Sequence, residues 1–240
     1  MAAVPGAVVC LPTYNERENV ERMLRELASL GVRVLVVDDN SPDGTGAIAD
    51  RLAEELAGVS VLHRERKEGL GPAYLAGFRE VLRGDAEYVL EMDCDFSHDP
   101  ADVPRLVAAC EQGADLALGS RYVEGGGTAN WGPGRRIVSA GGSFYARTLL
   151  GVGIRDLTGG FKCFRREVLE RLDLDAIHSR GYAFQIETTY RALRAGFQIE
   201  EVPIRFVDRT EGTSKMSRAI FLEAVARVPV LRIAAVTGRL

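Results

Sequence analysis

The 240-residue sequence predicts an α/β protein: a Rossmann-like, mostly parallel sheet with helices on both faces. Two observations predict it. Short apolar runs alternate with longer segments whose apolar residues recur at helical spacing. Polar and acidic residues collect directly after the apolar runs, as they do where open parallel sheets bind ligands at the carboxyl ends of their strands.

The elements follow in order. "AVVCL" (7–11) reads as a short buried strand. In "NVERMLRELASLG", Val20, Met23, Leu24, Leu27 and Leu30 share one helical stripe. Asn15 stands where it can cap that helix, with Glu18 three residues on, and Gly31 can end it. "RVLVV" (33–37) is the next strand, followed by the turn "SPDGT" and a helix through about Leu56. "VSVLH" (59–63), a helix over 72–83, "YVLEM" (88–92), a helix over 101–112 and "DLALG" (115–119) continue the alternation. That order implies mostly parallel pairing.

After residue 120 the alternation stops. "YVEGGGTANWGPGRR" is glycine-rich and reads as a mobile loop. A helix is expected over 136–150, a strand in "GGFKCFR", a helix over 183–195, and a strand in "EVPIRF", whose proline suits a sheet edge. One domain is expected over 1–216, then an amphipathic helical segment over 217–240. That segment puts Ile220, Phe221, Ala224, Val225 and Val228 along one side, with Pro229 expected to kink or end it. A core helix and a helix lying in an anionic membrane surface both fit the stripe; the arginines at 218, 227, 232 and 239 suit the second.

Composition narrows the class. The net charge of -4 carries no basic bias of the kind nucleic-acid binding needs, and nucleic acid is not expected as a partner. Cys10, Cys94, Cys110 and Cys163 show no CxxC spacing and read as reduced and mostly buried, a pattern that fits the cytoplasm. The N-terminus lacks a basic region and a long apolar run, so no signal peptide is expected. No run reaches the roughly 18 apolar residues of a membrane span.

The strand ends carry the chemistry: "PTYNE", "DDNSPDGT", "DCDFSHDP" and "GSRY". Neither GxGxxG nor GxxxxGK[ST] is present, which excludes the dinucleotide fingerprint and the P-loop. Asp39 is placed to accept hydrogen bonds from a ribose or a base; equally, Pro42, Asp43 and Gly44 suit a plain helix-capping turn. Asp93 and Asp95 share one side of an extended chain. They are either a solvated loop or hard oxygen ligands for Mg²⁺ or Mn²⁺ holding a diphosphate. His63, His98 and His178 are scattered without metal spacing, though His98 is near enough to the pair to shape its loop. The glycines of "KEGLGPAY" (67–74) serve either a nucleotide or helix packing.

Seven ordered stretches carry a resemblance: "LPTYNERENV", "VVDDNSPDGT", "EMDCDFSHDP", "GSRY", "DLTGGFKCF", "GYAFQIE" and "EVPIRFVDRTEGTSK". Over roughly residues 7–217 the sequence resembles family 2 glycosyltransferases with the glycosyltransferase A fold, most of all the polyprenol monophosphomannose (dolichol-phosphate mannose) synthases. The resemblance implies that residues 1–216 form the catalytic domain. It implies inverting transfer of mannose from GDP-mannose to a polyprenyl (dolichyl-type) phosphate, with Mg²⁺ or Mn²⁺ as cofactor. Carried over, Pro12, Tyr14 and Glu16 hold the nucleotide, and Val37 and Asp39 meet base and ribose. Asp93, Cys94 and Asp95 match the DxD motif, with the metal chiefly on Asp95; many relatives have Ala at Cys94, and some have Gln at Ser97.

An acceptor phosphate is already anionic and needs no general base. The enzyme has to bring two anions together, which calls for cations. Arg121, Arg209 and Lys215 are favoured for this, with Arg135 and Arg136 nearby; Ser139 joins the substrate-binding set. The expected catalytic residues are Asp95, Arg121, Arg209 and Lys215. A UDP-glucose:polyprenyl-phosphate glucosyltransferase or another family 2 enzyme is the alternative, and a non-catalytic nucleotide-sugar-binding subunit a more distant one. The lipid acceptor implies a peripheral position on the cytoplasmic face of a membrane, through surface contact or a membrane-protein partner.

Overall fold

The strand-like runs are buried on both sides. In β1 (Ala7–Thr13), Val9 and Leu11 enter one core layer while Val8 and Cys10 enter the other. β2 (Arg33–Asp38) divides Val34 and Val36 from Leu35 and Val37 in the same way. A strand covered on both faces needs no polar side, so its sequence reads as a continuous apolar run. The computed structural model describes residues 4–208 and 218–240, and side chains in the last helix from Glu223 onward.

The remaining strands are β3 (Val59–His63), β4 (Tyr88–Glu91), β5 (Leu116–Ser120), β6 (Gly127–Ala129), β7 (Lys162–Arg165), β8 (Ile199–Pro203) and β9 (Arg205–Val207). Five of these join β1 and β2 in one seven-stranded sheet in the order β3-β2-β1-β4-β7-β5-β8. Its pairs are parallel except those of β7, which runs antiparallel to both β4 and β5. β6 and β9 pair in a separate parallel ribbon. Pro203 ends β8, the edge strand, as its missing N–H allows.

Helices cover both faces. α1 (Val20–Ser29), α2 (Thr45–Glu55) and α4 (Val103–Glu111) bring Met23, Leu27, Leu52 and Leu106 to one. α3 (Leu70–Val81), α6 (Arg166–Arg171) and α7 (Gly181–Arg194) bring Tyr74, Phe78, Val168 and Phe184 to the other. α5 (Pro133–Leu150) and α8 (Arg218–Val236) pack with α7 in a third cluster around Leu150, Ile186, Tyr190, Val228 and Leu231. The four cysteines are free and buried.

Several expectations change. Asn15 does not cap α1: it turns the chain at φ 56, and the helix starts at Val20 with Asn19 before it. The glycine-rich stretch is not a loose loop, because it contains β6 and leads to Trp131, which is buried. "EVPIRF" splits at Ile204 into strands of two different sheets. α8 runs through Pro229 without ending. Its Val228, Leu231 and Ala235 belong to the core, while other apolar residues of the same helix face outward.

α3 lies close on the sheet because Gly77 has no side chain. A Cβ there would fall 2.1 Å from Cys10 Sγ and 3.0 Å from Val37 Cγ2. Gly77→Ala should therefore lower unfolding stability by about 1–3 kcal/mol through overpacking. Adding Cys10→Ala should recover part of that loss. Denaturant titration of the three chains checks both, and a Gly77→Ala chain as stable as the original would show that α3 lifts off freely.

Candidate active site

The carboxyl ends of β1, β2, β4 and β5 open into one cavity of about 440 Å³. The loops after β1 and β2 are tied together at its rim. Asn15 N–H donates to Ser41 Oγ at 3.1 Å, Glu16 N–H to Thr45 Oγ1 at 2.9 Å, and Arg17 N–H to Asp43 Oδ2 at 3.1 Å. Asn40 turns the second loop at φ 55, as Asn15 turns the first; Asn takes up this left-handed backbone more readily than most side chains. Asp43 also accepts the Thr45 N–H at 3.0 Å, so the capping reading holds for that end of the stretch. Asp39, one turn earlier, lines the cavity. Its Oδ1 accepts from Arg64 Nη1 at 2.5 Å, and burial, opposed by that guanidinium, pushes its carboxyl pKa up. Lys67 closes the wall with its ammonium 4.0 Å from the centre of the Tyr14 ring.

Asp93, Cys94 and Asp95 follow β4 and line the same cavity. Phe96 holds φ 57, a strained backbone for a bulky residue, and its ring lies 4.3 Å beneath the Arg22 guanidinium. Asp95 Oδ1 accepts the Ser97 N–H at 3.0 Å. His98 shapes this loop as expected. Its Nδ1 accepts the Asp93 N–H at 3.4 Å, its ring stacks on Phe161, and burial lowers its pKa to about 4, so it is neutral at neutral pH. Among the described residues no group of three or more His, Cys, Asp or Glu gathers as a metal cage. Two carboxylates facing a cavity instead fit a hard divalent cation completed by phosphate oxygens and water.

Arginines line the same cavity. Arg121, directly after β5, gives Nε to Asp156 Oδ2 at 2.7 Å and Nη2 to Asp156 Oδ1 at 2.6 Å, with Thr158 Oγ1 at 2.9 Å. Burial works against its charge, but Asp156 outweighs it and its pKa is raised. Asp156 is held in turn through its own N–H, which donates to Glu201 Oε1 at 3.0 Å. Arg135, in the first turn of α5, pairs with Asp208 at 2.6 Å and lies 4.3 Å over Trp131. Trp131 meets Phe206 edge-on, and Phe206 meets His98 in the same way. The small β6–β9 ribbon thus braces both arginines.

Of the residues expected at the site, Pro12, Tyr14, Glu16, Asp39, Asp93, Cys94, Asp95, Arg121 and Arg135 share the cavity. Val37 does not line it, because its side chain lies beneath α3 with Cys10. Ser139 stands aside too, its Oγ accepting from Tyr122 OH at 2.8 Å. Arg209 and Lys215 lie outside the described residues. The sequence reading missed Asp156, Trp131, Phe206 and Gln185. Asp156 had a signal, an acidic residue opening "DLTGG", but its partner lies 35 residues away. Gln185 is nearly fully buried and lines the cavity; its carbonyl groups, backbone and side-chain, accept from Lys162 Nζ. Lys162 lies 3.6 Å from Glu91, and burial lowers the pKa of the first and raises that of the second.

Residues 8–173 match the model of glycosyl transferase family 2. The chain is 51% identical over 224 residues to a polyprenol monophosphomannose synthase of Mycolicibacterium smegmatis, covering 92% of this chain and 84% of that one. It is 49% identical over 220 residues to an undecaprenyl-phosphate mannosyltransferase of Micrococcus luteus, covering 91% and 90%. Among solved structures, a mannosyltransferase of Pyrobaculum calidifontis in complex with GDP-Man and Mn²⁺ shares the fold, with a TM-score of 0.59 at 17% identity, covering 98% of this chain and 74% of that one. With its parallel strand ends gathered on one cavity and more than half its length matched, the chain belongs to glycosyl transferase family 2.

Proposed function

We propose that the chain transfers mannose from GDP-mannose to the phosphate of a polyprenyl lipid, with inversion at the anomeric carbon. The observation that carries this is the meeting of both charges in one cavity, lined by Asp93 and Asp95 and by Arg121 and Arg135. The names of the two relatives, both about half identical to this chain, support the sugar and the acceptor class. In this reading an acceptor phosphate oxygen bonds to C1 while the bond from C1 to the donor diphosphate breaks, and GDP leaves with the electron pair. No proton has to be removed from the nucleophile. Asp93 and Asp95 would hold Mg²⁺ or Mn²⁺, which when bound offsets the charge of the diphosphate. Arg135 faces the incoming phosphate, while Arg121, fixed by Asp156, keeps positive charge at the floor. Fixed charges in a closed site stabilise a transition state without reorganising. Arg209 and Lys215 follow β9 and belong to the acceptor side in this reading. A polyprenyl chain stays in a bilayer, so the enzyme works at the cytoplasmic face of a membrane, by surface contact or through a membrane protein. No helix of the described residues is long and apolar enough to cross a membrane.

The direct test incubates the purified chain with polyprenyl phosphate and radiolabelled GDP-mannose or UDP-glucose, with and without Mg²⁺ or Mn²⁺. Lipid-linked mannose from GDP-mannose alone is expected; glucose transfer would assign the donor differently, and binding without turnover would leave only a nucleotide-sugar-binding protein. Asp95→Ala should lower the rate by roughly 10²–10³, the usual loss for one charge-stabilising group, with Asp93→Ala also strongly impaired. Excess EDTA should stop transfer and added Mn²⁺ restore it. Near-normal turnover in Asp95→Ala or in EDTA would overturn the metal role.

Arg209→Ala and Lys215→Ala should slow transfer at low acceptor concentration while GDP binding, followed by calorimetry, changes little. Unchanged rates in both chains would remove these cations from the acceptor site.

A further inference from the structure

Gln185 stands on α7 at the cavity, 2% exposed, and its amide is only half used. Lys162 Nζ can only donate, so the amide oxygen has to face it, and Oε1 accepts from that ammonium. The amide nitrogen is thereby turned away from Lys162. It is buried, and among the described residues it has no hydrogen-bond partner. A buried donor without an acceptor is costly, so its presence in a folded chain calls for an explanation. Glu91 supplies part of one, because the Gln185 amide is among the groups that ease the charge of that buried carboxylate. An amide nitrogen carries two hydrogens, however, and the second is left over.

What stands beside that nitrogen is a missing side chain. A Cβ on Gly160 would fall 3.3 Å from Gln185 Nε2 and 4.0 Å from His98 Cε1, and Gly160 and His98 line the cavity as well. His98 in turn accepts the Asp93 N–H, so the donor lies beside the loop that carries Asp93 and Asp95. The charges around it are balanced. Lys162 and Glu91 offset each other at 3.6 Å, and burial holds the His98 pKa at about 4 and keeps its ring neutral. A neutral donor among balanced charges suits a neutral oxygen rather than a phosphate, for which this cavity has arginines.

We infer that Gln185 is a sugar-specificity residue, its Nε2 donating to one hydroxyl oxygen of the hexose being transferred, in the space that the absent side chain of Gly160 leaves open. The inference rests on the nucleotide-sugar reading above for the identity of the hexose, but the contact itself does not depend on which hexose it is. A sugar bonded to a diphosphate held at Asp93 and Asp95 has to lie within its own length of those carboxylates. Its hydroxyls are the neutral acceptors that such a donor needs. A sugar lacking the contacted hydroxyl would leave the buried amide unpaired again, and a site built in this way rejects it.

The test separates the hexose from the rest of the donor, on the full chain and two variants. Gln185→Met removes the amide with little change of volume and leaves Lys162 its bonds to the backbone carbonyl of residue 185 and to Thr188 Oγ1. Gly160→Ala keeps the amide and covers its nitrogen. In calorimetry with Mg²⁺ and no acceptor, both variants should bind GDP as the original chain does and GDP-mannose roughly 10–100-fold more weakly, the effect of leaving one buried donor unpaired. Transfer is then measured with GDP-mannose and its singly deoxygenated analogues. The original chain should lose roughly 10–100-fold in kcat/KM with the analogue that lacks the contacted hydroxyl. Gln185→Met should lose as much with GDP-mannose itself and no longer tell the two apart. Discrimination in Gln185→Met equal to that of the original would overturn the inference. So would an equal loss of GDP affinity, since Gln185 would then prop the whole site and not read the sugar. Should Gln185→Met unfold early in a thermal melt, Gly160→Ala decides by the same measurements. Transfer of glucose from UDP-glucose in place of mannose would instead strike at the proposed donor, and UDP, UDP-glucose and its deoxy analogues would then decide the role of Gln185 in the same way.

Discussion

The antiparallel insertion of β7 between β4 and β5 is the constraint on which the site depends. In a wholly parallel sheet only segments that follow strands reach the carboxyl edge. β7 runs the other way, so the segment that precedes it arrives there. That segment is "DLTGG", and it delivers Asp156, Thr158, Gly159 and Gly160 to the cavity region from the opposite direction. The register pairs Lys162 with Glu91 on one side and Leu118 on the other. The start of β7 therefore lies between the strand that leads to Asp93 and Asp95 and the strand that leads to Arg121.

Two buried ionic contacts stand at this junction, and their use is positional. Burying a charge pair costs desolvation that the attraction between the partners often only offsets. Arg121 and Asp156 meet through two parallel N–H···O bonds, a planar match that fixes the guanidinium in one orientation. Glu91 and Lys162 are looser at 3.6 Å, and both pKa shifts run toward the neutral forms. Lys162 spends its donors on Gln185 and Thr188, which ties α7 to the centre of the sheet beneath the cavity. Loss of Asp156 would leave the Arg121 guanidinium without its carboxylate, whereas Lys162 would keep Gln185 and Thr188 if Glu91 were lost.

The second half of the chain departs furthest from simple alternation, and it is where the arginines of the cavity and the outer surface arise. The β6–β9 ribbon is short, but it carries Phe206 and leads to Trp131, and those rings flank Arg121 and Arg135. α5 and α8 then extend from the cavity as a pair. One side of each closes the third core cluster and the other side stays apolar and basic. A helix can serve both the core and a surface because its residues are distributed around its full circumference.

The sequence alone determined the local facts. Valine- and leucine-rich runs read as buried strands, and the stripe of Val20, Met23, Leu24 and Leu27 as a buried helix face, and both are found. The polar edge was legible because carboxylates directly after apolar strands have one side of the sheet to occupy, and Asp39, Asp93 and Asp95 do line one cavity. What it could not determine were pairings across long separations. Asp156 with Arg121, Lys162 with Gln185 and Trp131 with Phe206 depend on which elements are neighbours and in which direction they run. The exclusion of Val37 was of the same kind. A strand residue shows its alternation in the sequence, but only the close seat of α3 on the sheet at Gly77 decides that its side is covered by a helix and not open to a ligand. Periodicity is a property of the backbone next to a residue, whereas burial and partnership belong to whatever the rest of the chain brings against it.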